Sequence, residues 1–122
     1  MEQVVILHLA NESGLLEPRS PILKQAGYVV VPVFSVELAL RTFAAGDFDV
    51  VLLCHSIPSS ERAAFIGFVR KHSPSTPVVL ISNTRIESTG GYDATVENDP
   101  EKLLRKLPLV LNQHRVRVMR SD

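Results

Sequence analysis

The stretch Phe48-Asp-Val-Val-Leu-Leu-Cys-His-Ser-Ile-Pro58 constrains this chain more than any other. Val50 to Leu53 is an unbroken run of apolar residues, most of them β-favouring. Strands covered on both faces, as in the middle of a parallel sheet, read this way. The run turns polar at Cys54, His55 and Ser56, and Pro58 forbids further pairing. Ligands and chemistry collect at the carboxyl ends of such strands in open parallel sheets. Cys54, the first residue past the apolar run, is therefore the residue to explain.

A chain of 122 residues suits one compact domain. A domain of that size buries roughly two-thirds of its unfolded surface, enough for a core without cross-links. The apolar share of 45% supports a globular chain, and the formal net charge of zero leaves no global field to recruit nucleic acid or a membrane. A single cysteine excludes an internal disulfide framework and fits a reducing cytoplasm. The start Met1-Glu-Gln lacks the basic opening of a signal peptide, and no apolar run approaches the roughly 20 residues of a membrane span.

Strand-like and helix-like stretches alternate along the chain. Gln3 to Leu9 reads as a first strand, and Ala10-Asn-Glu-Ser-Gly14 as the loop at its carboxyl end. Leu15, Leu16, Ile22, Leu23 and Ala26 fall near helical spacing, but Pro18 and Pro21 lie among them. An interior proline costs a helix about 3 kcal/mol, so a late start is expected, with Ser20 as cap, Pro21 at the first helical position and Gly27 as a left-handed stop. Tyr28 to Phe34 reads as the second strand, and Pro32 within it favours an edge. Ser35 can cap a helix whose face is Val36, Ala39, Leu40 and Phe43.

After the third strand, Ser59 or Ser60 is expected to cap a helix burying Ala64, Phe65, Phe68 and Val69. Glu61 stands at its positive end, and Lys71 and His72 at its negative end. Pro77 to Ser82 repeats the pattern of an apolar run that turns polar. Asn83 to Asp93 has only Ile86 as a large apolar residue before Gly90-Gly91, so a short turn or no helix is expected there. Ala94 to Val96 is a short fifth strand. Asn98 or Asp99 then caps a last helix with Pro100 at its first position and Leu103, Leu107, Val110 and Leu111 on its inner face. Pro108 predicts a kink or an early end. Residues 1–112 are expected to form the domain and 113–122 a C-terminal tail, solvated by default although its alternation of basic and apolar residues also suits a strand or a frayed helix.

The words Asp-Val-Val-Leu-Leu-Cys-x-x-Ile-Pro and Ala26-Gly-Tyr28 resemble the receiver domains of two-component response regulators. That family usually writes the first as Asp-Leu-Val-Leu-Leu-Asp-x-x-Leu-Pro, and its second Asp accepts a phosphoryl group. The resemblance covers about residues 3–112. It implies an α/β, doubly wound, flavodoxin-like five-stranded parallel sheet of order 2-1-3-4-5, with a shortened or missing fourth helix. It also implies where the chemistry would sit. The acceptor position falls on Cys54. The acidic pair after the first strand falls on Ala10 and Asn11, leaving Glu12 as the nearby carboxylate. The hydroxyl position falls on Ser82, and the lysine position on Val96 or Glu97.

Receiver chemistry needs two or three carboxylates around Mg²⁺ and a cation for the phosphoryl oxygens. One carboxylate and one soft thiol make a poor magnesium site. The resemblance therefore implies a degenerate receiver that signals through contact with a protein partner rather than by phosphotransfer, with no enzymatic activity, no cofactor and no metal. A homodimer through a poorly covered fifth strand is a further expectation, and neither nucleic acid nor membrane is an expected partner.

Two other readings stay open: phosphorelay by unusual chemistry, and a cysteine-based redox sensor. For the second, Cys54 needs a partner. His55 is its neighbour, but adjacent strand residues point to opposite faces, whereas His8 can approach if the first and third strands are neighbours. A buried inert thiol is the plainer reading. His72 and His114 suit a helix end and an exposed tail, and no spacing suggests zinc. Asn11 to Gly14 is a weak phosphate cradle, with Glu12 repelling an anion. No dinucleotide or P-loop motif follows a strand. The basic residues of the last helix and tail suit a solvated face better than a nucleic-acid site, since no aromatic residues are interleaved.

Overall fold

The computed structural model describes residues 3–10, 20–82 and 92–120. The elements follow in the order β1 (Val5–Leu9), α1 (Ser20–Gln25), β2 (Val29–Val33), α2 (Val36–Ala45), β3 (Val50–Cys54), α3 (Ser59–His72), β4 (Val78–Ser82), β5 (Ala94–Glu97) and α4 (Pro100–Arg120). All strand pairs are parallel, and the sheet runs β2-β1-β3-β4-β5, the doubly wound order expected. Pro32 lies on edge strand β2, where a missing donor costs least.

Alternation along the strands divides the core in two. Leu7, Leu9, Val51, Leu53, Val78 and Leu80 face α2 and α3, packing on Ala39, Phe43, Phe65, Ile66 and Val69. Ile6, Val50, Leu52, Val79, Ile81 and Val96 face α1 and α4, packing on Leu23, Leu103, Leu107 and Val110. Every residue of β3 and β4 is buried, as strands covered on both faces must be.

Two aspartates set the register at the amino end of the sheet by one device. The Asp49 N–H donates to the Val5 carbonyl (2.8 Å), and the Val5 N–H donates back to Asp49 Oδ2 (2.8 Å). Asp93 repeats this with Val78, at 2.8 and 2.7 Å. Asp93 Oδ2 also accepts from Arg70 (2.7 Å), whose other amino group reaches the Thr76 carbonyl (3.1 Å). One carboxylate thus ties α3, β4 and β5 together.

The helix ends follow the expected chemistry with exceptions. Gly27 has φ +98°, and the bonds from Gly27 N–H to Lys24 O and from Tyr28 N–H to Leu23 O make the left-handed stop of α1. Ser35 Oγ accepts from the Leu38 N–H (3.1 Å), capping α2. Asp99 Oδ1 accepts from Glu101 N–H (3.0 Å), capping α4. Helix α3 differs, since Pro58 is its cap residue, with no side-chain cap bond, and Ser59 and Ser60 are already helical. Its buried face is also rotated from the one expected. Ile66 is buried and Ala64 exposed, because Phe65, Ile66 and Val69 meet the sheet and Phe68 sits half-buried at their margin. Pro108 does not end α4, whose backbone runs helically to Arg120, across the boundary expected at residue 112. The expectation of a shortened or missing fourth helix falls on residues 83–91, outside the described residues.

Candidate functional site

The site is built where β1, β3, β4 and β5 end. Leu9 pairs with Leu53, which sets Ala10 beside Cys54; Cys54 pairs with Ile81, and Ile81 with Val96. Ala10, Cys54, Ile81 and Val96 therefore form one row on the face that carries α1 and α4. Ala10 and Cys54 are fully buried and pack against each other. Ala10 is held by its N–H, which donates to the Val33 carbonyl (3.1 Å). Ser82 stands one residue further on, paired with Glu97, and is 8% exposed. Of the expected positions, the fold brings Ala10, Cys54 and Val96 into one row, with Ser82 at the next step. Asn11 and Glu12 lie outside the described residues.

The chain turns immediately after Cys54. His55 N–H donates to the Ile81 carbonyl (2.9 Å), and Ile57 N–H bonds back to the Cys54 carbonyl (3.1 Å), folding Ile57 into the core of the opposite face. This turn corrects the sequence reading of His55. Strand alternation stops at Cys54, and His55 Nδ1 comes 3.8 Å from Cys54 Sγ. That is the long end of contact for a weak thiol donor. His8 is fully buried, pairs with Leu52, and shares the face of Cys54 two residues nearer the amino end of the sheet.

Chemically, the row offers a methyl group, a thiol and two branched hydrocarbons. A divalent magnesium ion takes oxygen ligands in octahedral array, and none of these four side chains supplies one. Among the described residues, no three His, Cys, Asp or Glu side chains are grouped so as to hold a metal ion. No helix among them is long and apolar enough to cross a membrane.

A second surface was not singled out in the sequence. Strand β5 and helix α4 border an open groove of about 250 Å³, lined by Thr95, Val96, Lys102, Arg105, Lys106 and Leu109, with Glu97 at its end. Leu109 is 59% exposed, the highest value among the large apolar side chains described. The signal was available, since Leu109 falls outside the inner face set by Leu103, Leu107 and Val110. Lys102 Nζ lies 2.6 Å from Glu97 Oε2, and that carboxylate raises the lysine pKa above its usual value.

No protein-family model matches the sequence, and no curated protein matches it. The fold does have solved counterparts. A CheY-like response regulator receiver domain protein from Methanospirillum hungatei JF-1 superposes with a TM-score of 0.79 at 17% identity, over 95% of this chain and 99% of its own. The response regulator TrrA of Thermotoga maritima, solved with Mg²⁺ and BeF, gives 0.79 at 21%, over 88% and 99%. A chain of the complex between histidine kinase ThkA and TrrA gives 0.77 at 22%, over 89% and 99%. With strand order, layers and coverage in agreement, the chain has the doubly wound fold of response-regulator receiver domains.

Proposed function

We propose that this chain is a receiver-type signalling module that has lost phosphotransfer and works by constant contact with another protein. The phospho-site-equivalent positions are Ala10, Asn11, Glu12, Cys54, Ser82 and Val96. One observation carries the reading: the side chain ending the central strand is a fully buried thiol packed on the methyl group of Ala10. Phosphoryl transfer needs charge neutralisation by a metal and a cation at that point, and the row Ala10-Cys54-Ile81-Val96 offers neither. The solved complex of ThkA with TrrA supports protein contact as the working mode of this fold. Contact rather than catalysis is then the activity, exercised in the cytoplasm where a lone thiol stays reduced.

Incubation with acetyl phosphate and Mg²⁺, followed by intact-protein mass measurement, tests this reading. The expected result is an unmodified mass. A phosphoryl adduct on the folded protein, absent after unfolding, would overturn it. The Cys54–His55 approach of 3.8 Å favours one other reading, a redox-active thiol. On that reading Cys54 reacts with a thiol probe in the folded protein, whereas a buried inert thiol labels only on unfolding.

A further inference from the structure

We propose that the first turn of α3 binds a phosphate group through Arg62. This turn lies over the α2–α3 side of the sheet, whereas the row Ala10-Cys54-Ile81-Val96 faces α1 and α4. The phosphate group is held there and not transferred, whatever the row itself can do.

Arg62 is the residue that calls for a ligand. The residue is half-buried, and its Nε is shut off from solvent with no hydrogen-bond acceptor. Arg41, Arg70, Lys102 and Arg105 each meet a carboxylate. Among the described residues, no carboxylate, carbonyl or hydroxyl meets the Arg62 guanidinium. A buried donor on a charged group costs the fold free energy until something pairs with it. By spacing of i, i+3, i+4 and i+7, Arg62 shares the helical phase of Phe65, Ile66 and Val69, which pack on the sheet. That accounts for the burial of its stem and leaves the missing acceptor unexplained.

The turn that carries Arg62 is rich in open donors. Helix α3 runs 14 residues from Ser59, and the Arg62 N–H makes its first bond, to the Pro58 carbonyl (3.0 Å). The N–H groups of Ser59, Ser60 and Glu61 come before that bond and have no acceptor within the helix. Ser35 and Asp99 cap α2 and α4 with a side-chain oxygen, but Pro58 has none to give α3. Helical side chains lean toward the amino end of their helix, so the guanidinium leans toward these N–H groups.

A guanidinium fork beside a helix N-terminus suits an oxyanion. A carboxylate has two oxygens to share among these donors, whereas a phosphate group has three or more and a second charge. Glu61 is exposed and next to Arg62. Its charge opposes an anion, which keeps the binding readily reversible.

The test is an NMR titration of the full chain, read at backbone amides and at arginine Nε–H groups, without Mg²⁺. The probes are inorganic phosphate, a phosphoserine peptide, and acetate at matched ionic strength. The expected result is saturable shifts at Ser60, Glu61 and the Arg62 Nε–H with both phosphate probes and none with acetate. Whichever phosphate probe binds more tightly distinguishes a free ion from a phosphorylated chain as the source. Arg62→Met, which keeps an unbranched stem without charge, should weaken binding about tenfold or more. Glu61→Gln should tighten it severalfold, and circular dichroism checks that both variants fold. Should Arg62→Met not fold, Glu61→Gln decides, since a site elsewhere would not feel that change. Absence of saturation with both phosphate probes would overturn the proposal. Equal shifts with acetate, unchanged binding in a folded variant, or shifts confined to Ala10, Cys54 and Val96 would overturn it as well. Neither probe is a phosphodonor, so the outcome is independent of whether the protein accepts a phosphoryl group.

Discussion

A carboxylate at position 54 would stand in a row of hydrocarbon. Its flanking residues are Ala10 and Ile81, both fully buried, and Val96 follows at 5% exposure. A charge in such a place must be paired, protonated or reached by water, each at a cost. Cys54→Asp is therefore expected to lower the unfolding free energy by about 3 kcal/mol in urea denaturation, and Cys54→Ala by clearly less. Equal or higher stability for the Asp variant would mean that the site still supplies partners for a carboxylate. Tyr28 gives a second expectation. Partial burial raises its phenol above the usual 10.0, so the folded state keeps the proton longer than the unfolded one. Stability should then be full below pH 10 and fall as pH rises from there through the folded value, and Tyr28→Phe should flatten that alkaline decline. An unchanged decline in the variant would assign it to other groups. Cys54 and Ser82 were legible in the sequence because an apolar run ending in a polar residue marks a strand end. The approach of His55 was not, because alternation holds only inside a strand and the chain already turns at His55.

Among the elements, Asp93 is the residue whose removal should spread furthest. Its Oδ2 accepts from Arg70 and from the Val78 N–H at 2.7 Å each, with side-chain exposures of 33% for Arg70 and 20% for Asp93. Asp93→Ala removes the side-chain acceptor of a strand N–H and one of the acceptors of a partly buried guanidinium. A loss of about 2 kcal/mol is expected, measured by urea denaturation, with amide exchange quickened at β5 and at the start of β4. A loss under about 0.5 kcal/mol, the usual range of surface substitutions, would show that solvent replaces the carboxylate. This link was not legible in the sequence, since it joins residues 23 positions apart through the sheet. What was legible was local. Ser35 before Val36 marked the cap of α2, Gly27 the left-handed stop of α1, and Pro100 the first turn of α4. Helix α3 was harder, because Ala64 and Ile66 lie close enough in phase that only contact with the sheet decides which is inside. Pro108 misled where an early end was concerned: Leu107 and Val110 on either side of it are buried against the sheet, and tertiary packing of that face carries the helix past the missing donor.

For the whole molecule, the strand order 2-1-3-4-5 is the one implied by the resemblance to receiver domains, Pro32 on an edge agrees with it, and the structure has that order. The proposed loss of phosphotransfer rests on Cys54, Ala10 and Val96, side chains without charge that stand together at the carboxyl end of the sheet. A working receiver binds beryllofluoride with Mg²⁺ as it binds a phosphoryl group, and TrrA, a protein of similar fold, has been solved with Mg²⁺ and BeF. The most direct test is therefore an amide NMR titration with Mg²⁺ and beryllofluoride. The account predicts no saturable shift at Ala10, Cys54, Ser82 or Val96 at millimolar ligand. Saturable shifts at those residues would contradict it and show a functional phosphorylation site of unfamiliar composition.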